Sequence, residues 1–411
     1  MSSVDTENMI VGLDIGTSKV VAIVGKRKLD GTIEVVGIGS HASRGLKRGV
    51  VVNIETTVQA IQRAVEEAEL MAGCRIHSVY AGIAGSHIKS LNSHGIVAIR
   101  DREVTQADID RVIDAAQAVA IPADQKILHI LPQEFVIDNQ EGIKEPLGMS
   151  GVRLEAKVHL VTCAVNAAQN IEKCIRRCGL EVDDIILEQL ASAHSVLTED
   201  EKELGVCLVD IGGGTSDFTL FRQGAGMGID ILASHGIRLG GTDFDRWLSI
   251  GRVMPQLGMG SEIRHAMGGD THLAPNAIFN DLATWAKIPF LYGPETRRAA
   301  AELHRYAQHP KRLARLVKVL DEELGHDLAF AVEAGKIRAN DTREGDPDPV
   351  IDVSMLKPGA TLPLPRLWVQ KRLAKLAGQI GAAAETTLAK AGVEATAVDR
   401  LIFVGGSSLM G

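Results

Sequence analysis

Two short stretches hold the residues best suited to chemistry, Gly12-Leu-Asp-Ile-Gly-Thr-Ser-Lys19 and Val209-Asp-Ile-Gly-Gly-Gly-Thr-Ser-Asp217. In each, an apolar run that reads as a buried strand ends in an Asp and turns on Gly and Thr. A carboxylate at a strand end can hold water on Mg²⁺, and the backbone N–H groups of such a turn can meet a phosphate. The first turn offers the amides of Gly16, Thr17 and Ser18, the hydroxyls of Thr17 and Ser18, and the ammonium of Lys19. Taken alone it also reads as an ordinary glycine hairpin. The second turn, Gly212, Gly213, Gly214 and Thr215, is sharper. Three successive glycines let the backbone approach a ligand where a Cβ would collide, at an entropic cost a plain hairpin has no need to bear. One such turn in each half of the chain predicts two halves closing on a single nucleoside triphosphate.

Two further features fit that chemistry. Gly405, Gly406 and Ser407 follow another apolar run and could lie flat beneath an adenosine. Glu188 stands at the start of an expected helix, where it could orient an attacking water, although an acidic residue in a first helical turn is favoured by the macrodipole alone. Phosphoryl transfer needs mainly positioning and charge neutralisation. Asp14, Asp210 and Glu188 around Mg²⁺ would therefore make a sufficient catalytic set, with Asp14 and Asp210 on the metal through water.

The elements that must position these residues alternate between β and α, which argues an α/β architecture. Residues 9–25 read as strand, turn and strand. Val58, Ile61, Val65 and Ala68 mark a helix over 55–72 that stops at Gly73. A strand is expected at 78–84. A helix opens at the capping box of Thr105 and Asp108 and ends before Pro122. Strands at 126–131 and 157–165 complete a small α+β insert, and a helix at 167–178 and a strand at 183–187 follow. The second half opens with a strand at 205–211 and a β-meander over 223–242. Helices fill 243–340, with 294–325 the longest stretch, and 341–349 reads as a linker. Helices occupy most of 365–392 before a last strand, Leu401 to Val404.

At 411 residues the chain is long enough for two or more domains. A hydrophobic content of 45% with 23% charged residues is that of a folded globular protein, and a net charge of −8 leaves no electrostatic footprint for nucleic acid. The basic stretch Arg305 to Lys318 has only Tyr306 among it, in a chain with 3% aromatic residues, and reads as a solvated helix face. Five cysteines without a CxxC pair point to free thiols in a reducing cytosol. The polar N-terminus is unlike a signal peptide, and the uninterrupted apolar runs fall short of a bilayer span.

The three turns, in this order and spread, resemble the actin-like ATPase superfamily. That resemblance implies two RNase H-like α/β domains around a nucleotide cleft that binds ATP with Mg²⁺. Residues 9–217 are similar to the bacterial cell-division family FtsA, through 43–49 (Ser-Arg-Gly-Leu-Lys-Arg-Gly), 131–135 (Leu-Pro-Gln-Glu-Phe), 140–159 and 195–207. This implies a family-type insert subdomain at 85–163, a first domain of 1–84 with 164–204, a second of 205–242 with 336–411, and an outer helical subdomain at 243–335. From about 218 the resemblance passes to DnaK-type chaperone ATPases and their short YegD-type relatives, through 235–245, 254–260, Glu333-Ala-Gly-Lys336 and 401–408. It implies that Glu333 and Lys336 flank the adenine and ribose, with Gly405, Gly406 and Ser407 beneath, and that Gly240 and Gly241 lie by the closing domain. Ile337 stands where those chaperones carry Arg.

Two functions follow as expectations. The FtsA resemblance implies a nucleotide-gated, polymerising cytoplasmic scaffold that turns ATP over slowly at most and links FtsZ filaments and other division proteins to the inner membrane. The basic amphipathic helix that ends such proteins is not found before Gly411. The alternative is a chaperone-type ATPase that switches a partner. A sugar kinase would need a general-base Asp facing an acceptor pocket, and no motif supplies one.

Overall fold

Strand β1 (Met9–Ile15) alternates Val11, Leu13 and Ile15 on a buried face with Gly12 and Asp14 on the other, so its pleat alone separates core from chemistry. The computed structural model describes residues 8–47, 49–198, 206–223, 229–264, 270–341 and 346–407. Within these the chain divides into two units, Met1–Arg238 with Ile380–Ser408, and Leu239–Gln379.

In the first unit, β1 pairs antiparallel with β2 (Lys19–Arg27), which pairs antiparallel with β3 (Ile33–Ala42). A two-residue ladder, β4 (Leu46–Lys47) with β5 (Val50–Val51), leads to helix α1 (Ile54–Ala72). The Asn53 side chain caps α1 by accepting the Thr56 N–H, and Gly73 ends it at φ 66°. Its buried face carries Val58, Ile61, Val65 and Ala68 onto the sheet. Strand β6 (Ser78–Ile83) runs parallel to β1. The insert follows as β7 (Lys89–Ala98), α2 (Gln106–Gln117), β8 (Gln125–Ile137), β9 (Gln140–Ile143) and β10 (Arg153–Ala164). Its sheet runs β7-β10-β8-β9 and has its own core, including Val112, Ala116, Leu154 and Leu160. The chain returns through α3 (Val165–Arg177) to β11 (Glu181–Leu187), which pairs parallel with β6, and into α4 (Glu188–Val196). The first sheet is therefore β11-β6-β1-β2-β3.

The second sheet repeats the plan. Strands β12 (Val206–Ile211), β13 (Ser216–Gln223) and β14 (Ile229–Ile237) form an antiparallel meander. The far side of β12 receives a parallel strand from near the end of the described chain. The second unit intervenes, with helices α5 (Gly241–Arg252), α6 (Asn276–Leu282), α7 (Pro294–Tyr306), α8 (Pro310–Asp321) and α9 (Gly325–Asp341). It also carries two short hairpins, β15 (Glu262–Arg264) with β16 (Thr271–Leu273) and β17 (Val350–Asp352) with β18 (Thr361–Pro363). Helix α10 (Arg366–Ala391) then leads to β19 (Arg400–Val404), the parallel partner of β12, giving the order β14-β13-β12-β19.

Several expectations from sequence change in detail. Strand β8 runs past Pro132, because a bulge opposite Lys157 and Val158 lets the ladder shift there and continue. The meander expected over 223–242 begins at Ser216 and ends at Ile237, and Gly240 with Asp243 instead opens α5. The stretch 294–325 is two helices, since Pro310 starts a new one, and the longest helix is α10 with 26 residues. Helix α9 extends to Asp341, and 342–345 of the expected linker lie outside the described residues, as do Gly205, Ser408 and 199–204. All five cysteines are free thiols, buried or half-buried. Among the described residues no helix is long and apolar enough to cross a membrane.

Glycines set the distance between α1 and the sheet. A Cβ on Gly39 would run into the Ala64 carbonyl and lie 2.6 Å from Ala68 N, both backbone atoms of α1. Gly12, in the same sheet, has nothing within 4 Å of that position. Gly39→Val is expected to destabilise the first unit by about 1–3 kcal/mol, the range for forced overpacking. Gly12→Ala should stay close to the parent, as equilibrium denaturation of the two variants would measure.

Candidate functional site

The hairpins joining β1 to β2 and β12 to β13 are built alike. The Gly16 N–H donates to the Lys19 carbonyl and the Gly212 N–H to the Thr215 carbonyl, each at 3.0 Å. Four residues lie between the last paired residues in both, Ile15 with Val20 and Ile211 with Ser216. Asp14 and Asp210 consequently occupy equivalent positions near the C-terminal ends of central parallel strands, where open α/β sheets present their ligands. The register carries the equivalence one step further, since Asp14 faces Val21 and Asp210 faces Asp217.

Both hairpins belong to the first unit, and they meet tip to tip. A Cβ on Gly213 would lie 2.7 Å from Ser18 Oγ, so glycine is what lets the two turns touch. Around them, the Gly49 N–H donates to Thr17 Oγ1 at 3.1 Å and the Ser43 N–H to the Ser18 carbonyl at 2.9 Å. The third turn joins the second hairpin: the Ser407 N–H donates to the Ile211 carbonyl at 3.2 Å. At Gly405, φ is 85° and an added Cβ would press on the Asp210 carboxylate. Glu188, the first residue of α4, lays its side chain over Gly82 of β6, where a Cβ would sit 2.9 Å from Glu188 Cγ. The sequence-derived residues Asp14, Gly16 to Lys19, Glu188, Asp210, Gly212 to Thr215 and Gly405 to Ser407 are thus all parts of the first unit.

The remaining four are parts of the second unit. Gly240 and Gly241 open α5. The Lys336 ammonium is buried, pairs with Asp245 at 2.9 Å and reaches the Gly241 carbonyl at 3.5 Å. Burial pushes the Asp245 carboxyl up to about 6, with Lys336 opposing the rise. Glu333 is half-buried one helical turn before Lys336 on α9.

The electrostatics of the first unit follow from crowding carboxylates together. Burial raises the Glu188 carboxyl well above its ordinary range, and Asp14, Asp210 and Asp217 push it further. Burial, then the charge of Asp14, takes Asp210 up to about 6. Asp14 itself keeps access to solvent, yet the protein around it raises its carboxyl, with Lys19 opposing. Asp217 is 5% exposed and rises to about 7 through burial and Asp210, against hydrogen bonds from the Thr215 side chain and the Gly85 N–H. Among the described residues no three His, Cys, Asp or Glu side chains are grouped to ligate a metal ion directly. A hydrated divalent cation fits these facts, because it relieves the mutual repulsion without contact to three carboxylates.

Asp217 is the site residue that motif reading passed over. Its signal is an acidic residue at the second position of β13, directly opposite Asp210 in the ladder. Its packing extends to the insert: a Cβ on Gly236 would meet the Asp217 carboxylate and lie 3.4 Å from Ser86 Cα, and Arg238 Nε donates to Ser86 Oγ at 2.8 Å.

A raised carboxylate titration has a definite sign. The folded chain holds the Asp217 proton more tightly than an unfolded chain does, where Asp titrates near 3.8. Stability from this group is complete below that value and falls as pH rises through about 7. Asp217→Asn, which keeps an acceptor for the Gly85 N–H, should raise the melting temperature at pH 8 by about 3 °C. At pH 5, where only part of that stability is lost, the rise should be smaller, as calorimetry at the two pH values would read.

Comparison with known proteins places half of this chain. Residues 85–162 match the family model described as the SHS2 domain inserted in FTSA. The chain is 79% identical over 225 residues to the cell division protein FtsA of Pseudomonas aeruginosa, covering 55% of this chain and 54% of that one. It is 58% identical over 213 residues to FtsA of Neisseria meningitidis, covering 52% and 51%, and 52% identical over 217 residues to FtsA of Escherichia coli K12, covering 53% and 52%. The chain thus spans about half the length of the curated relatives it matches. A chain of the PilM–PilN type IV pilus biogenesis complex aligns over 96% of this chain and 88% of its own, at 15% identity and a TM-score of 0.44. The chaperone-type reading finds no support in these matches. Residues 85–162 thus match the SHS2 domain inserted in FTSA, within a stretch of about half the chain that is similar to FtsA in sequence, and the two larger sheets around that match share one local plan.

Proposed function

We propose that this chain is an ATP-binding protein of FtsA type, a nucleotide-gated scaffold of bacterial cell division that self-associates into filaments. The observation that carries this reading is the pair of matching hairpins, each with an Asp two residues before its first Gly, touching at Gly213 and Ser18. In this reading the amides of Gly16 to Ser18 and Gly212 to Thr215 cradle the β- and γ-phosphates, and Lys19 neutralises them. Asp14 and Asp210 hold Mg²⁺ through its water shell, with Asp217 in support. The cation supplies charge neutralisation at the phosphates. Glu188, its carboxyl raised by burial and its acidic neighbours, would orient the attacking water. Gly405 to Ser407 carry the adenosine. Turnover is slow at most.

The partners proposed by the same reading are FtsZ filaments and further division proteins, the latter seated on the SHS2 insert, at the cytoplasmic face of the inner membrane at the division site. Nucleic acid is not among them. The outer part of the second unit stands where the family's FtsZ-tail site would lie, so FtsZ binding is the element of this proposal most open to a direct pull-down.

Ligand that binds only the folded state stabilises it by about 2.7 kcal/mol at a hundredfold excess over its dissociation constant. Mg-ATP should therefore raise the melting temperature of the parent chain and leave that of Asp210→Ala almost unmoved in a thermal-shift titration. An equal rise in both would remove Asp210 from the site. Separately, ultracentrifugation should pellet filaments with Mg-ATP and not without nucleotide, and a chain that stays in the supernatant under both conditions would refute the polymerising role.

A further inference from the structure

Strand β11 lies at the edge of the first sheet, bonded on one side to β6, so the N–H groups of its other side need partners from elsewhere. At its last residue, the fully buried Leu187, that partner is a side chain of the insert: the Leu187 N–H donates to His129 Nε2 at 2.9 Å. Leu187 is also the N-cap of α4, at φ −62° and ψ 121°, and makes no side-chain cap bond. The next residue is Glu188. The residue immediately before Glu188, whose side chain lies over Gly82, is therefore anchored at its N–H by an imidazole on β8, within the residues that match the SHS2 domain.

We infer that His129 is a positioning residue, whose Nε2 fixes the Leu187 peptide and so couples the register of the insert's strand β8 to the place of the Glu188 carboxylate. Accepting at Nε2 requires a neutral ring with its proton on Nδ1. Burial holds the His129 imidazole below its ordinary range, with Asp184 of β11 opposing, so the acceptor form prevails at neutral pH. His129 sits opposite Val161 of β10, within the central pair of the insert's sheet, and a partner that shifts this pair would move the anchor of Glu188 with it. Coupling of this kind is reciprocal, so nucleotide at the acidic cluster would bias the insert equally. A second link runs alongside, through the Gly85 N–H to Asp217.

The inference rests on the nucleotide reading above, and the test separates the two. In the full-length chain, His129→Phe keeps the ring's bulk without an acceptor, and His129→Gln restores an acceptor at similar reach. Phosphate release at saturating Mg-ATP should slow about tenfold in His129→Phe, the scale of a modest misplacement of a catalytic group. Its Mg-ATP dissociation constant should stay within about threefold of the parent, because the glycine turns are untouched. Release should recover in His129→Gln to within about threefold of the parent. Amide exchange at Leu187 should accelerate in His129→Phe and revert in His129→Gln. Parent-like release by a folded His129→Phe would overturn the inference alone. Equal loss in both variants, accompanied by lower melting temperatures, would reduce His129 to packing and overturn it too. A parent chain that neither binds Mg-ATP nor releases phosphate would overturn the nucleotide reading and take this inference with it.

Discussion

Like charges gathered out of water dominate this molecule. Asp14, Glu188, Asp210 and Asp217 are raised together by the protein packed around them, Asp14 while solvent still reaches it and Asp217 when nearly fully buried. A carboxylate in such a place is destabilising unless it keeps a proton or meets a cation. Perturbed acids gathered at one place are a common feature of binding and catalytic sites.

The sheets exist to bring these acids to one place. Each supplies a central strand flanked by a meander on one side and a parallel strand on the other, and each ends that strand in Asp and a four-residue turn. Repeating one local plan in two sheets makes the turns equivalent without making them identical. The first has Thr17 and Ser18 where the second has Gly213 and Gly214, and Lys19 where the second has Thr215, so one turn brings a cation and the other a close approach. The asymmetry extends to the neighbouring strand, where Val21 in one sheet answers to Asp217 in the other.

Much of this was legible in the sequence for reasons that are themselves physical. The Asp-Ile-Gly turns, the stop at Gly73 and the Thr105–Asp108 box are local, and local chemistry decides them. Elements set by distant neighbours were harder to read. Pro132 looks like a strand end until the bulge opposite it is known, and the break before Pro310 is hidden within a run that is helical on both sides. Asp217 is informative only through its cross-strand partner, and His129 only through a bond to a residue 58 positions away. Glu188 was readable as a helix-opening acid, but its place over Gly82 depends on β6 lying beside β11.

The parallel pairing of β12 with β19 has a consequence for how the chain is made. The first sheet and its insert can close from residues that leave the ribosome early. The second sheet cannot, because the strand beside its acid-bearing hairpin is encoded beyond the whole of the second unit. Until that late strand emerges, β12 is an unpaired apolar edge, the kind of surface that slows folding and recruits chaperones. Nascent chains should thus pass through a half-assembled species in which one acid-bearing turn is complete and its counterpart still waits for its scaffold.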